Sequence, residues 1–310
     1  MSRGRPRGPR GPRGGSVPPH GAVLVTGASS GLGRECALEL EHRGFQVLAG
    51  VRREEDGEKL LAESHHERLR YAVIDITDDA SVRASAELVA HRYGGLRGLV
   101  NNAGICLPGP LECIDGEQFR RQLDVNVVGH LSMIRAHLPL LRRSHGRIVN
   151  VTSGLGSAAV PFLGAYSAAQ FAKEALSDAL RRELAPTGVR VSVVAPGAIL
   201  TPIWTKVSQA GERALADAPP AVADLYRSAL QGFLEGNAQQ AMASRTTPED
   251  FARTVLRALT DARPRARYWA GADARRMART ARLLPDSLLD RRFRAITAQV
   301  GAPAGTDARP

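Results

Sequence analysis

Gly27, Gly31 and Gly33 sit within Thr26-Gly27-Ala28-Ser29-Ser30-Gly31-Leu32-Gly33. Glycine reaches positive φ at no steric cost and lets a backbone come close to a ligand. The apolar run 22–25 leads into this segment and a helical pattern follows it. A helix beginning there presents free N–H groups and the positive end of a dipole, which suits a pyrophosphate. Glycines alone serve any tight strand-to-helix turn. Their place between a first strand and a first helix is what gives them a phosphate-cradling reading.

The surrounding pattern supplies elements that could position such a turn. Short, branched, apolar runs fall at 22–25, 45–49, 70–74, 96–100, 147–151 and 190–194. Amphipathic stretches at 34–42, 79–93, 118–143 and 165–184 lie between them, and a last helix is expected over 249–259. Alternation of this kind predicts an α/β fold, a parallel sheet with helices on both faces. Near-continuous apolar strands fit a sheet buried on both sides. Pro219-Pro220 and the Gly/Gln-rich 232–240 read as a long insertion, about 202–245, before that helix.

Composition narrows the classes. Of the 310 residues, 43% are hydrophobic and 24% charged, so the bulk can bury a core. No apolar run approaches the roughly 18 residues of a spanning helix. Cys36, Cys106 and Cys113 form neither a disulfide framework nor a metal-type pair, which fits a reducing, cytoplasmic setting. The formal charge of +11 resides at the ends, +5 within 1–20 and +6 within 261–310, leaving a neutral middle. That distribution does not resemble a nucleic-acid groove. Residues 1–20, rich in Gly, Pro and Arg, are expected to be a disordered tail. The arginine-rich 275–300, carrying Met277, Leu283, Leu284, Leu288, Leu289 and Phe293, reads as a helix pair. It either packs on the body, forms a dimer contact or touches a membrane interface, and 271–310 is read as a helical extension with a flexible end.

The Gly-x-x-x-Gly-x-Gly spacing resembles the short-chain dehydrogenase/reductase family. Further matches follow in order: Asn101-Asn102-Ala103-Gly104, Asn126 in Leu-Asp-Val-Asn-Val-Val-Gly, Ser153 closing Arg-Ile-Val-Asn-Val-Thr-Ser, Tyr166 thirteen residues later, and Pro196-Gly197 leading to Ile199 and Thr201. The likeness covers about 21–270. The segments Pro-Gly-Ala-Ile-Leu-Thr-Pro-Ile-Trp and Arg-Tyr-Trp-Ala-Gly-Ala-Asp look like the branch acting on steroids, retinoids and other lipophilic alcohols or ketones. The resemblance implies a Rossmann-type doubly wound sheet of about seven strands over 21–270, and a homodimer or homotetramer. It also implies a nicotinamide cofactor on Gly27, Ser29, Ser30, Gly31, Leu32, Gly33, Arg52, Asp75, Ile76, Asn102, Ala103, Gly104, Tyr166, Gln170, Pro196, Gly197, Ile199 and Thr201. An acidic residue closing strand two would bind the adenosine ribose diol and repel a 2′-phosphate. Here Ala49-Gly50-Val51-Arg52-Arg53 has no acid, and guanidinium pairs well with phosphate, so NADP is favoured over NAD. The competing reading makes Arg52 and Arg53 a solvated loop neutralised by Glu54, Glu55 and Asp56.

Hydride transfer to a carbonyl needs a proton donor and a group that steadies the oxygen. The resemblance gives those tasks to Tyr166 and Ser153, with Asn126 beside them. Free tyrosine ionises near pH 10, so the family lowers it with a lysine one helical turn on. Here Gln170 takes that place, among only three lysines: Lys59, Lys173 and Lys206. Gln170 can donate hydrogen bonds to ribose but offers no charge. Lys173 either reaches back along the same face or pairs with Glu174, Asp178 or solvent. Two functions therefore stand: an NADP-dependent oxidoreductase, slowed by Gln170, and a dinucleotide-binding sensor or scaffold. Phe162, Leu163 and Trp204 either line a lipophilic pocket or pack a core. Cys106 either faces substrate or is an inert buried thiol, and His130, His137 and His145 read as structural or exposed.

Overall fold

Every residue of Ala-Val-Leu-Val-Thr at 22–26 is buried, so this segment cannot be an edge. The computed structural model describes residues 20–298 and Val300. The expectation of a disordered tail lies, His20 apart, outside the described residues, as does that of a flexible chain end beyond Val300. The elements are β1 (Ala22–Thr26), α1 (Gly31–His42), β2 (Gln46–Val51), α2 (Glu54–Ala62), β3 (Leu69–Val73) and α3 (Asp79–Tyr93). Then come β4 (Gly98–Asn101), α4 (Gly116–Leu123), α5 (Gly129–Arg143), β5 (Arg147–Val151), α6 (Gly164–Leu184) and β6 (Arg190–Pro196). The chain continues through α7 (Ile203–Ala216), α8 (Pro220–Met242), α9 (Pro248–Thr260), β7 (Arg267–Ala270), α10 (Ala272–Leu283) and α11 (Asp286–Thr297).

The seven strands form one parallel sheet in the order β3-β2-β1-β4-β5-β6-β7. This is the expected doubly wound Rossmann-type architecture. Side chains alternate across each strand, and here both faces are apolar. Val23, Val25, Val47 and Val149 pack with Cys36 and Leu40 of α1 and Phe251 and Val255 of α9. Leu24, Leu48, Leu99 and Ile148 pack on the other face with Val82 and Val89 of α3 and Met133 and Leu141 of α5. The strand order reverses between β1 and β4, which leaves a crevice at the carboxyl ends of the strands.

Several features differ from the periodicity. The stretch 118–143 is two helices joined by a π turn over Asp124–Val128. The insertion is not a loop: 232–240 lies inside α8, because Ala229, Leu230, Phe233, Leu234 and Ala241 bury an apolar stripe that outweighs the local glycines. Helix α2 went unread; its buried residues are only Gly57 and Leu60, and its first-turn acids Glu54, Glu55 and Asp56 favour a helix start through the dipole. Strand β7 is too short, at 4 residues, to show a period. The third apolar cluster joins Phe162 and Leu163 to α7 and α8, with Phe293 and Ile296 of α11 against it, so Phe162 and Leu163 belong to a core and part of the C-terminal pair packs on the body. Trp204 stays outside that cluster, its indole N–H donating to Ile199 O at 2.8 Å. Among the described residues no helix is long and apolar enough to cross a membrane.

Phe251 is fully buried where α9 lies against α1. Phe251→Ala is expected to lower unfolding free energy by about 3–5 kcal/mol, read from urea denaturation, by leaving a cavity between those helices.

Candidate active site

The glycine turn is built by close approach. Gly27 has φ +67°, and a Cβ there would stand 2.7 Å from Ala103 Cα. A Cβ on Gly33 would overlap Gly27 O and the Asn102 amide. Thr26 Oγ1 accepts from Asn102 N and Ala103 N, each at 3.1 Å. The Asn102 amide donates to Thr26 O at 3.0 Å and Gly27 O at 3.2 Å. Thr201 closes the turn from the other side, 3.4 Å from where a Gly31 Cβ would lie. Three segments far apart in sequence, Gly27–Gly33, 102–104 and 197–201, therefore meet at the β1–β4 crevice. Ser30 is extended at the N-cap of α1 and forms no side-chain cap, which leaves the helix start open to an anion.

The adenosine side is less committed. Arg52 follows β2 and its charge helps hold the Asp75 carboxyl below the usual range, after the larger effect of hydrogen bonds from Thr77. Those bonds are 2.6 Å from Thr77 Oγ1 and 2.9 Å from its N–H. Arg53 is 3.3 Å from Asp56, so the neutralised-loop reading holds for Arg53. Ile76 is buried, and its carbonyl lies against Gly129.

Tyr166 is the third residue of α6; it is half-buried, and desolvation of its phenol pushes it above the ordinary tyrosine value. The Cys106 thiol nearby adds to the rise, while hydrogen bonds from Ser153 and Gln170 oppose it. Cys106 is half-buried, and desolvation pushes its thiol up to about 12, away from the thiolate that a nucleophile needs. Ser153 caps a short turn, accepting from Leu155 N at 3.2 Å. Asn126 sits in the π turn, and both ends of its amide are engaged: Ile105 N donates to Oδ1 and Nδ2 donates to Ile105 O, each at 2.9 Å. Its side chain thus holds the strand-end loop, a job it shares with Gln122.

Lys173 departs from the simple expectation. It is 4% exposed, and its ammonium donates to Val151 O rather than pairing with a carboxylate or solvent. Burial pushes it down to about 7, against the pull of Glu174. Glu174 instead accepts from Thr152 Oγ1 at 2.9 Å and pairs with Arg267 at 2.8 Å. His130 is buried and bonds Ala103 O at 2.6 Å, while burial and the Lys173 charge hold it well below its ordinary value. His137 is buried as well, against Met133 O. The sequence pattern passed over Asp273 of α10, whose carboxylate accepts from Ala198 N at 2.7 Å and leaves room only for glycine at 197. A lone aspartate after a short strand carries no periodic signal.

The glycine cradle, the uncapped helix start and Thr201 above it fit the pyrophosphate of a nicotinamide dinucleotide. Gly33→Ala is expected to raise the dinucleotide Kd by about tenfold or more in a fluorescence titration while far-ultraviolet circular dichroism stays native.

The family pattern described as short chain dehydrogenase matches residues 21–212. The chain is 41% identical over 275 residues to 3-amino-tetrahydro-pyrrolizinone reductase of Xenorhabdus hominickii, covering 88% of this chain and 94% of that protein. It is 38% identical to retinol dehydrogenase 5 of Mus musculus, covering 86% of each. A crystal structure of a short chain dehydrogenase from Burkholderia cenocepacia J2315 in complex with NADP superposes with TM-score 0.69 at 29% identity, covering 89% of this chain and 99% of that one. With the glycine cradle at the sheet's reversal and the serine–tyrosine pair beside it, these likenesses establish that the chain belongs to the short-chain dehydrogenase family.

Proposed function

We propose that the chain is an NADP(H)-dependent oxidoreductase that interconverts an alcohol and a carbonyl on a lipophilic small molecule. The observation that carries this reading is Tyr166 at the start of α6, half-buried beside Ser153 just past β5, at the same strand ends that hold the glycine cradle. The backbone of Gly27 to Gly33, with Asn102 to Gly104, Pro196, Gly197, Ile199 and Thr201, would hold the dinucleotide. Bound there, it supplies the hydride. Tyr166 Oη exchanges the proton at the substrate oxygen, and Ser153 Oγ steadies that oxygen as charge develops. Arg52 beyond β2, where an acid would repel a 2′-phosphate, supports NADP, as does the NADP in the Burkholderia cenocepacia neighbour.

The lipophilic class is supported by the third apolar cluster, which brings Cys106 and Leu155 together with Phe162, Phe233 and Tyr226 beside the tyrosine–serine pair. An open groove of about 630 Å³ lies outside it, lined by Leu111, Val160, Phe162, Tyr226 and Phe293 together with Glu112, Asp290 and Arg294. The name of the retinol dehydrogenase 5 relative agrees with an alcohol–carbonyl pair on an apolar skeleton. Its three free cysteines support a cytoplasmic setting. Gln170, which stands one turn after Tyr166 on α6 and brings no charge, favours a second reading, a dinucleotide-binding sensor with little turnover.

Turnover of a panel of lipophilic ketones with NADPH separates the two. The oxidoreductase reading expects reduction that Tyr166→Phe lowers by on the order of 10²–10⁴-fold with NADPH affinity unchanged. NADPH binding with no turnover in the native chain, and turnover gained in Gln170→Lys, would leave the sensor. Arg52→Glu is expected to weaken NADPH by about tenfold or more and to spare NADH. A phenol raised above its ordinary value is a base only in alkali, so the alcohol-oxidation rate should climb from neutrality toward about pH 10.

A further inference from the structure

The chain that leaves β6 runs toward the glycine turn, and a carboxylate from α10 holds its course. Gly197 N donates to Ala270 O at 2.9 Å, extending the pairing of Pro196 with Ala270. One residue on, Ala198 N donates to Asp273 Oδ2 at 2.7 Å. The next hydrogen bonds of this segment, from Trp204 to Ile199 O and Thr201 O, are local. Among the described residues the Asp273 bond is therefore the last polar tie to the body before Thr201 reaches Gly31. The fit around the carboxylate is tight. A Cβ on Gly197 would stand 2.0 Å from Asp273 Oδ1 and 2.2 Å from Oδ2, and one on Gly271 2.4 Å from Oδ1. Gly271 has φ +121° and needs glycine in any case, whereas Gly197 lies outside the left-handed region. The space taken by the Asp273 carboxylate is what demands glycine at 197. The next residue of the same turn, Ala274, packs on Gly154 just past Ser153, its Cα 3.4 Å from where a Gly154 Cβ would lie. The first turn of α10 thus touches both the segment over the cradle and the serine turn.

We propose that Asp273 is a positioning residue for the dinucleotide: from α10 it fixes the course of 197–201 and so holds Ile199 and Thr201 over the glycine cradle. A carboxylate accepting from a backbone N–H makes a charge-assisted bond, stronger than a neutral one. Without it the segment keeps the buried Ile199 as its anchor, and a nucleotide has to order the rest on binding. That ordering cost is read as lost affinity. Helix α10 is then part of the binding site, although it follows the last strand. This inference rests on the oxidoreductase reading and adds to it a residue outside that site's own segments.

The test uses the full-length protein and four variants: Asp273→Ala, Asp273→Asn, Gly197→Ala and the double variant of Gly197→Ala with Asp273→Ala. Amide hydrogen exchange without nucleotide, NADPH fluorescence titration, thermal melting and carbonyl reduction are measured on each. Asp273→Ala should exchange faster over 197–201 in the nucleotide-free chain. Its NADPH Kd and its KM for NADPH should rise about tenfold, with kcat at saturating NADPH and the melting temperature close to native. Asp273→Asn, whose amide oxygen can accept the same bond, should recover most of that affinity. Gly197→Ala should weaken NADPH on its own but add little to Asp273→Ala, because the methyl group enters vacated space. Native exchange over 197–201 in Asp273→Ala overturns the inference, as does a native NADPH Kd. Equal losses from Gly197→Ala in both backgrounds also overturn it. So does a kcat and melting temperature that fall together with affinity, since Asp273 is then only a structural support. A native chain that binds neither NADPH nor NADH sinks the oxidoreductase reading itself, and the exchange measurement still reports whether the tie exists.

Discussion

Gly27 and Gly33 bring the first turn of the chain into contact with Asn102 and Ala103, and the Thr26 hydroxyl accepts from both of those N–H groups. No side chain larger than hydrogen fits between these backbones. The consequence reaches beyond the turn. Because β1 and β4 are the strands where the sheet reverses, pinning their ends together fixes the width of the crevice. The loop from Asn102 to Ile105 then has one position, held from behind by Gln122, Asn126 and His130. Each such bond contributes only about 1 kcal/mol, but a buried group left unpaired would cost more. The network therefore specifies one arrangement more than it adds stability.

Helix α6 carries the second half of the site and is registered against the sheet by polar ties along its length. Ser177 accepts from Asn150, which in turn accepts from Asn101 on β4. Lys173 meets Val151, and Glu174 meets Thr152, the residue before Ser153. Glu174 and Asp178 also hold Arg267 of β7. Consecutive residues of β5 are thus each tied to α6, and Tyr166 and Ser153 lie at the end of that ladder. Part-buried ion pairs of this kind contribute little net stability, since desolvation offsets attraction. They do disfavour a slip of the helix, which would strand charges away from water.

The environment that aligns Tyr166 also works against its ionisation. Desolvation raises the phenol, and two neutral hydrogen-bond donors offset only part of that. Lys173, nearly a turn beyond Gln170, is held under α6 against Val151 O, beside a histidine kept neutral by burial. Phe162, just ahead of α6, takes φ +63°, a conformation costly for a side chain of its size, and its ring is held edge-on to Phe233 at 5.5 Å. Packing in the third cluster thereby sets where α6 begins.

The sequence by itself determined the strand–helix alternation, the parallel sheet, the glycine turn and the order of the motif residues. These are written in local spacing, in which a period of two or of 3.6 and the conformational freedom of glycine act over a few residues. Strand β7 and the helical nature of 232–240 were not legible, because their state follows from burial against distant partners rather than from their own pattern, and α2 buries too few residues to show a period. The same holds within the site. Gln170 could be read as a missing charge, but where Lys173 points depends on which carbonyl lies beneath α6, and that is a property of β5. Asn126 and Asp273 became loop anchors only once Ile105 and Ala198 came within reach. Chemistry-bearing residue types are fixed by sequence. Which of them share one small, water-poor space is decided by tertiary packing, since desolvation and hydrogen-bond partnership depend on neighbours far along the chain.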